Sequence, residues 1–214
     1  MLGARLISIA IGYIFGLFQT GYLYSRSKGV DIRTQGSGNS GTTNTLRVLG
    51  KKAGAITFIG DLLKAILAVI VVGMIFKKSY PDQIRLLELY GGFGAVLGHN
   101  FPFYLKFKGG KGIACTGGVV LAVCPLAAPL CLIAFAGILY FTGYVSLGSL
   151  AMAAIFLTEV IIFNALGWLH MAPSLIPEYD LIALAFTAMA FWRHRANISR
   201  LLNGTENRFN TRKK

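Results

Sequence analysis

Arg33 to Gly50 reads RTQGSGNSGTTNTLRVLG and lies between two apolar runs. It carries Gly36, Gly38 and Gly41, the hydroxyls of Ser37, Ser40, Thr42, Thr43 and Thr45, the amides of Asn39 and Asn44, and Arg47. Glycines let a backbone come close to a ligand. Successive N–H groups in a turn form an anion-binding concavity, and a following helix N-terminus adds to it. Arg47 adds a planar fork that matches phosphate. No acidic residue interrupts the stretch. It therefore reads as a phosphate cradle rather than a plain connecting loop.

Two further polar clusters carry chemistry. Gly98 to Gly112 reads GHNFPFYLKFKGGKG, in which Gly109, Gly110 and Gly112 surround Lys111 ahead of an apolar run. That is a second phosphate-type arrangement, although it is not a Walker A loop. The third cluster is Arg193-His194, Asn197, Arg200 and Glu206. If the last helix continues past Arg193, His194 and Asn197 share a face, as do Arg193, Asn197 and Arg200. His194 can serve as a general acid or base, or donate to phosphate. His99, at a helix end before a proline, is expected to bond backbone in a structural role. His170 is expected to be incidental, Glu206 to partner an arginine or a helix end, and Ser146 to sit in a short turn.

What is missing narrows the chemistry. Tyr104 and Ser199 stand where an H-x-x-x-x-D acyltransferase pair would need aspartate after His99 and His194. There is no G-x-S-x-G elbow and no carboxylate cluster with Mg²⁺-site character. The expectation is two phosphate groups held by arginine, lysine and backbone, with no metal and no cofactor.

The elements that must position these clusters are membrane helices. The chain has 214 residues, 55% of them hydrophobic and 14% charged. Its apolar runs approach the roughly 20 residues that a spanning helix needs. The expected fold is an all-α integral membrane protein, a single domain over residues 1–214. Seven spans are expected, near 3–24, 53–76, 85–104, 112–124, 126–142, 147–168 and 181–193. The first is read as a span rather than a cleaved signal. Its Gly12, Gly16 and Gly21 suit close helix contact. Asp61 and Lys64 fall inside the second span on one helix face, as a structural ion pair or part of the site.

The net charge is +13. In a membrane protein the positive-inside rule and anionic headgroups explain it without nucleic acid. Arg26, Lys28, Arg33, Arg47, Lys51 and Lys52 lie in one loop, Lys106, Lys108 and Lys111 in another. The tail adds Arg193, Arg195, Arg200, Arg208, Arg212, Lys213 and Lys214. Seven spans place these on one side, giving an outside N-terminus and a cytoplasmic C-terminus. Cys115, Cys124 and Cys131 form no CxxC and read as small buried residues.

GSGNSGTTNTLRVLG, GHNFPFYLKFKGGKG and RHRANISRLLNGTE resemble, in order, the three motifs of the bacterial acyl-phosphate:glycerol-3-phosphate acyltransferase (PlsY) family. The resemblance covers essentially the whole chain. It implies a seven-helix protein of the bacterial inner membrane with a cytoplasmic active site. The implied reaction moves an acyl chain from acyl phosphate to the 1-hydroxyl of glycerol 3-phosphate, giving lysophosphatidic acid and phosphate. By resemblance, Ser37 and Arg47 match essential residues, with Asn39, Gly41 and Asn44 shaping the loop; Gly38 is expected to bind substrate alongside them. Gly109, Gly110 and Lys111 match a glycerol-3-phosphate site. Ser146 matches a substrate-contacting serine, His194 and Asn197 a functional pair, and Glu206 a structural glutamate; Arg200, on the same helix face as Asn197, is expected to bind substrate. Where the family often has G-S-I-P in the first helix, this chain has Gly16-Leu17-Phe18-Gln19. The expected partners are the two substrates and membrane lipid, with no nucleic acid and no obligate protein. The rival reading is a transporter of phosphate or an organic anion.

Overall fold

The computed structural model describes residues 1–209. Arg212, Lys213 and Lys214 of the expected basic tail lie outside the described residues. Among the described residues all regular structure is helical. The chain forms two compact units, one over Met1–Val123 and one from Cys124 onward. The first contains α1 (Leu2–Gly16), α2 (Thr20–Ser27), α3 (Thr42–Leu49), α4 (Lys51–Phe76), α5 (Ile84–Asn100) and α6 (Ile113–Val123). The second contains α7 (Ala128–Thr142), α8 (Val145–Ala165), α9 (Ile176–Arg193) and α10 (Arg195–Leu202).

Among the described residues, five stretches are long and apolar enough to cross a membrane: Leu2–Ser27, Lys51–Phe76, Pro125–Thr142, Val145–Ala165 and Pro173–Arg193. The expected spans near 85–104 and 112–124 are shorter helices, of 17 and 11 residues. Pro102 pushes Phe101 out of the helical region and ends α5 at Asn100. Cys124 is likewise out of the helical region ahead of Pro125. The last span starts earlier than expected, at Ile176, because Pro177 sits in the first turn, where its missing N–H costs nothing.

The first expected span is also broken, between Gly16 and Thr20. The break is stabilised by side chains distant in sequence. Gln19 Nε2 donates to Gly16 O at 3.1 Å and His99 O at 3.0 Å. Tyr104 Oη donates to Leu17 O at 2.6 Å, and Lys64 Nζ to Phe18 O at 2.6 Å. Each carbonyl released by the break has a buried or interfacial donor, so the interruption is tolerated inside an apolar environment.

In the first unit α1 packs on α5 backbone to backbone. A Cβ at Gly12 would overlap Gly91 O, and one at Gly16 would overlap Ala95 O. In return, Gly94 and Gly98 lie against the carbonyls of Ile9 and Tyr13. Small residues at this spacing replace the hydrophobic drive that lipid removes. Gly21 packs against Ser40 O, so its smallness serves the polar loop. In the second unit Phe156 of α8 meets Phe186 of α9 edge to face, with centroids 6.1 Å apart. Thr187 Oγ1 donates to Ala153 O at 2.9 Å across the same pair. All three cysteines are buried thiols.

Candidate active site

The loop from Arg33 to Gly50 is built around Asn44, which is 3% exposed. Asn44 Nδ2 donates to Ile32 O at 3.2 Å and Gln35 O at 2.9 Å, while its Oδ1 accepts from Ser37 N at 2.8 Å. Gly36, with φ +57°, presses on that same Oδ1, and a side chain there would collide with it. Gly38 also takes positive φ, and its N–H bonds Gln35 O. Asn39 Oδ1 accepts from Gly41 N at 2.9 Å. Asp31 anchors the loop entrance by accepting from Arg33 N, Nε and Nη2. Those bonds hold its carboxyl down at about 2.

Gly41 begins α3 without a side-chain cap, leaving the first-turn N–H groups without one. Ser37 and Arg47 are exposed, and Arg47 has no carboxylate partner among the described residues. The asparagines thus hold the loop shape, while Ser37, Arg47 and the α3 N-terminus remain presented. That combination has the donors and the positive charge to receive an anion.

The Gly98–Gly112 segment folds back on the end of α5. Gly109 N donates to Asn100 O at 3.2 Å and Gly110 N to His99 O at 3.1 Å. These N–H groups, which the sequence reading offered to phosphate, bond the protein's own carbonyls. The glycines are needed for close approach instead. A Cβ at Gly109 would overlap His99 O, and one at Gly110 would overlap the His99 ring at Nε2. Lys106 and Phe107 take positive φ in the preceding hook, a strained conformation for side-chain-bearing residues. Lys111 follows, half-buried, just before α6.

His99 is not held through backbone alone, as expected. Its Nδ1 lies 2.9 Å from Lys64 Nζ and 3.5 Å from Asp61 Oδ1. Lys64 Nζ also lies 2.9 Å from Asp61 Oδ1, and Thr20 Oγ1 donates to that oxygen at 3.3 Å. The expected Asp61–Lys64 ion pair is therefore present, buried, with a histidine added. Asp61, His99 and Cys115 bring three metal-ligating atoms within 4.8 Å of one another. An ammonium already lies against two of these donors, so the set does not fit a metal cation.

In the second unit Glu206 gathers the remaining residues. Its Oε1 accepts from Ser146 Oγ at 2.9 Å and Asn197 Nδ2 at 2.6 Å, and its Oε2 from Arg200 Nε at 2.7 Å. Burial alone would push this carboxyl up, but the bonds from Asn197, Arg200 and Ser146 outweigh it and hold the value below normal. Gly143, at φ +75°, ends α7 and turns the chain so that Ser146 falls in the first turn of α8. Phe209 N donates to Gly143 O, tying the described tail to that turn.

The last helix does not continue smoothly. His194 ends α9 and begins α10, with φ −99° and ψ 6°. Its Nδ1 is 2.8 Å from Ala190 O. A carbonyl only accepts, so Nδ1 carries a proton, and in the neutral form of the ring Nε2 keeps the lone pair. His194 and Asn197 are both buried, at 2% and 7% exposed.

The glycerol-3-phosphate acyltransferase family model matches residues 6–204. The chain belongs to the glycerol-3-phosphate acyltransferase family. It is 40% identical to the enzyme of that name from Clostridioides difficile (strain 630), over 97% of each chain. It is also 40% identical to the Geobacter sulfurreducens enzyme, over 96% of this chain and 97% of the relative. Crystal structures of PlsY, an integral membrane glycerol 3-phosphate acyltransferase, share 35% identity and cover 97% of this chain and 96% of theirs. The glycerol 3-phosphate form superposes with a TM-score of 0.81 and the lysophosphatidic acid form with 0.79.

As a member of this acyltransferase family the chain is an enzyme and an integral membrane protein. The relatives give no support to a transporter. Two residues of this family member were missed by sequence reasoning. Gln19 is 1% exposed and bridges α1 to the end of α5. Only its placement among apolar residues, where family members often carry another sequence, signals it. His99 was read through its neighbouring proline, and its lysine partner lies 35 residues earlier.

Proposed function

We propose that this enzyme transfers an acyl chain from acyl phosphate to the 1-hydroxyl of sn-glycerol 3-phosphate. The products are lysophosphatidic acid and phosphate. The observation that carries this reading is the cradle of exposed Ser37 and Arg47 at the uncapped start of α3. The relatives' name and the glycerol 3-phosphate form of PlsY support the acceptor. An acyl phosphate carries a good leaving group, so the reaction needs alignment and charge neutralisation more than activation.

The mechanism is a single displacement. The glycerol hydroxyl oxygen attacks the carbonyl carbon, the carbonyl–phosphate C–O bond breaks, and the hydroxyl proton goes to the departing phosphate. Ser37 and Arg47 bind one phosphate, with Gly38, Asn39, Gly41 and Asn44 maintaining the loop. Lys111 binds the other phosphate, and Gly109 and Gly110 set the backbone that delivers it. His194, through its Nε2 edge, accepts a hydrogen bond from the attacking hydroxyl and orients it, and Asn197 assists. Ser146 and Arg200 contact substrate, and Glu206 holds both.

The acyl tail takes a mostly apolar groove of about 460 Å³ along α1 and α4, lined by Ile14, Phe15, Phe18, Gly60, Leu63 and Leu67, with Lys64 also in its wall. The protein is one catalytic domain over residues 1–214 in the bacterial inner membrane. It has seven spans, α5 and α6 being the short ones, an outside N-terminus and a cytoplasmic active site, as its lysine and arginine placement favours. No protein partner is required.

The test is acyl transfer to labelled glycerol 3-phosphate by the purified, detergent-solubilised protein. Palmitoyl phosphate and palmitoyl-CoA are offered separately. Product from the phosphate donor alone is expected, and product from the CoA donor would overturn the donor assignment.

A further inference from the structure

We infer that His99 is a positioning residue for the Lys111 loop, locked in one tautomer by the buried Asp61–Lys64 pair. An ammonium has three N–H groups and no acceptor. Lys64 Nζ has three acceptors in reach: Phe18 O at 2.6 Å, Asp61 Oδ1 at 2.9 Å and His99 Nδ1 at 2.9 Å. A donor-only group at 2.9 Å makes Nδ1 the accepting nitrogen, so the neutral ring carries its proton on Nε2. The lysine and aspartate balance each other, and a charged ring beside them would add an unpaired buried charge. Asp61, Lys64 and His99 are 1%, 5% and 3% exposed, so water does not compete for these bonds.

The other edge of the ring faces the loop. Nε2 packs against Gly110 closely enough that a methyl group there would overlap it. The carbonyls of His99 and Asn100 take the N–H groups of Gly110 and Gly109. The residue before Lys111 is thus seated on the ring and the main chain of His99, and the ring is seated on Lys64. His194 has the opposite tautomer, with Nδ1–H spent on Ala190 O. The two histidines therefore differ in role. In its neutral form His194 keeps its lone pair at Nε2, and His99 turns an N–H edge toward a loop it holds.

This inference rests on the proposal that Lys111 binds a phosphate of glycerol 3-phosphate. The full-length protein is compared with His99→Asn, which keeps an acceptor for Lys64 at the Nδ1 place but loses the ring edge at Gly110. His99→Gln, Lys111→Ala and His99→Asn/Lys111→Ala complete the set. Misplacing a substrate-holding group by about 1 Å costs up to about 100-fold in rate. The expected result for His99→Asn is a KM for glycerol 3-phosphate raised by about tenfold or more. Its KM for acyl phosphate and its melting temperature stay at the wild-type values. The double variant is expected to be no worse than Lys111→Ala alone.

Ring ¹⁵N spectra are expected to show the Nε2–H tautomer for His99, lost in Lys64→Met. Additive effects in the double variant, equal rises in both KM values, or an Nδ1–H ring at His99 would overturn the inference. Failure of the wild-type protein to acylate glycerol 3-phosphate would instead overturn the proposed function, and the ring signal would still decide the tautomer.

Discussion

Replacing Glu206 by alanine removes the one acceptor shared by Ser146, Asn197 and Arg200. Ser146 and Asn197 are 4% and 7% exposed, so water does not restore their bonds. Leaving a buried donor unsatisfied costs about 1–3 kcal/mol. The serine hydroxyl can rotate toward another acceptor, so most of the cost falls on the lost bond from Asn197 Nδ2. Arg200 is more exposed, and such a pair contributes at most about 1 kcal/mol. The sum is a destabilisation of about 1–4 kcal/mol.

If about 2.7 kcal/mol of that appears as lost orientation of Asn197 in the transition state, kcat/KM falls about 100-fold. Glu206→Gln keeps a carbonyl for Ser146 and Asn197 but sets an NH₂ against the Arg200 Nε. It loses one charge-assisted bond and is expected to fall only about tenfold. Acyl transfer from palmitoyl phosphate and thermal unfolding in detergent read both effects, with the order wild type, Gln, Ala. An alanine variant with wild-type turnover and melting would refute Glu206 as the acceptor that fixes this cluster.

The same carboxylate predicts an acid limb. Its folded value lies below the ordinary 4.5, so its stabilisation is full above that value and is lost as pH falls through the folded value. Acid unfolding of the wild type below about pH 4.5 is expected to flatten in Glu206→Gln. Lys64→Met leaves Asp61 buried without its cation, a loss of about 3–5 kcal/mol, and adding Asp61→Asn is expected to recover part of the melting temperature. Arg47→Lys keeps the charge but loses the fork, and KM for at least one phosphate substrate is expected to rise about tenfold with unchanged unfolding. Leu67→Trp fills the groove along α1 and α4, and in competition assays is expected to shift preference toward shorter acyl phosphates.

The sequence by itself determined the broad outline. Apolar runs mark the helices because a membrane core admits little else, and Pro102, Pro125 and Pro177 mark where helices can end or begin. The glycines of the first run announced a close helix neighbour, and Gly12 and Gly16 do meet α5. The three polar clusters stood out because hydroxyls, amides and cations are rare among so many apolar residues. The family was legible from the order of those clusters.

What only the tertiary structure decided is which group bonds which. Asn44 turned out to be the frame of the first loop. The N–H groups of Gly109 and Gly110 bond internal carbonyls, so the role of these glycines is closeness. Ser146 meets Glu206 across 60 residues, and Lys64 meets Phe18 across 46. The break in the first span follows from donors that arrive from α4 and from the hook after α5. Composition and spacing list donors and acceptors, but a hydrogen bond forms only at about 3 Å with the right direction. That distance is set by the packing of helices far apart in the chain, so the partners of His99 and Glu206 were decided by the fold.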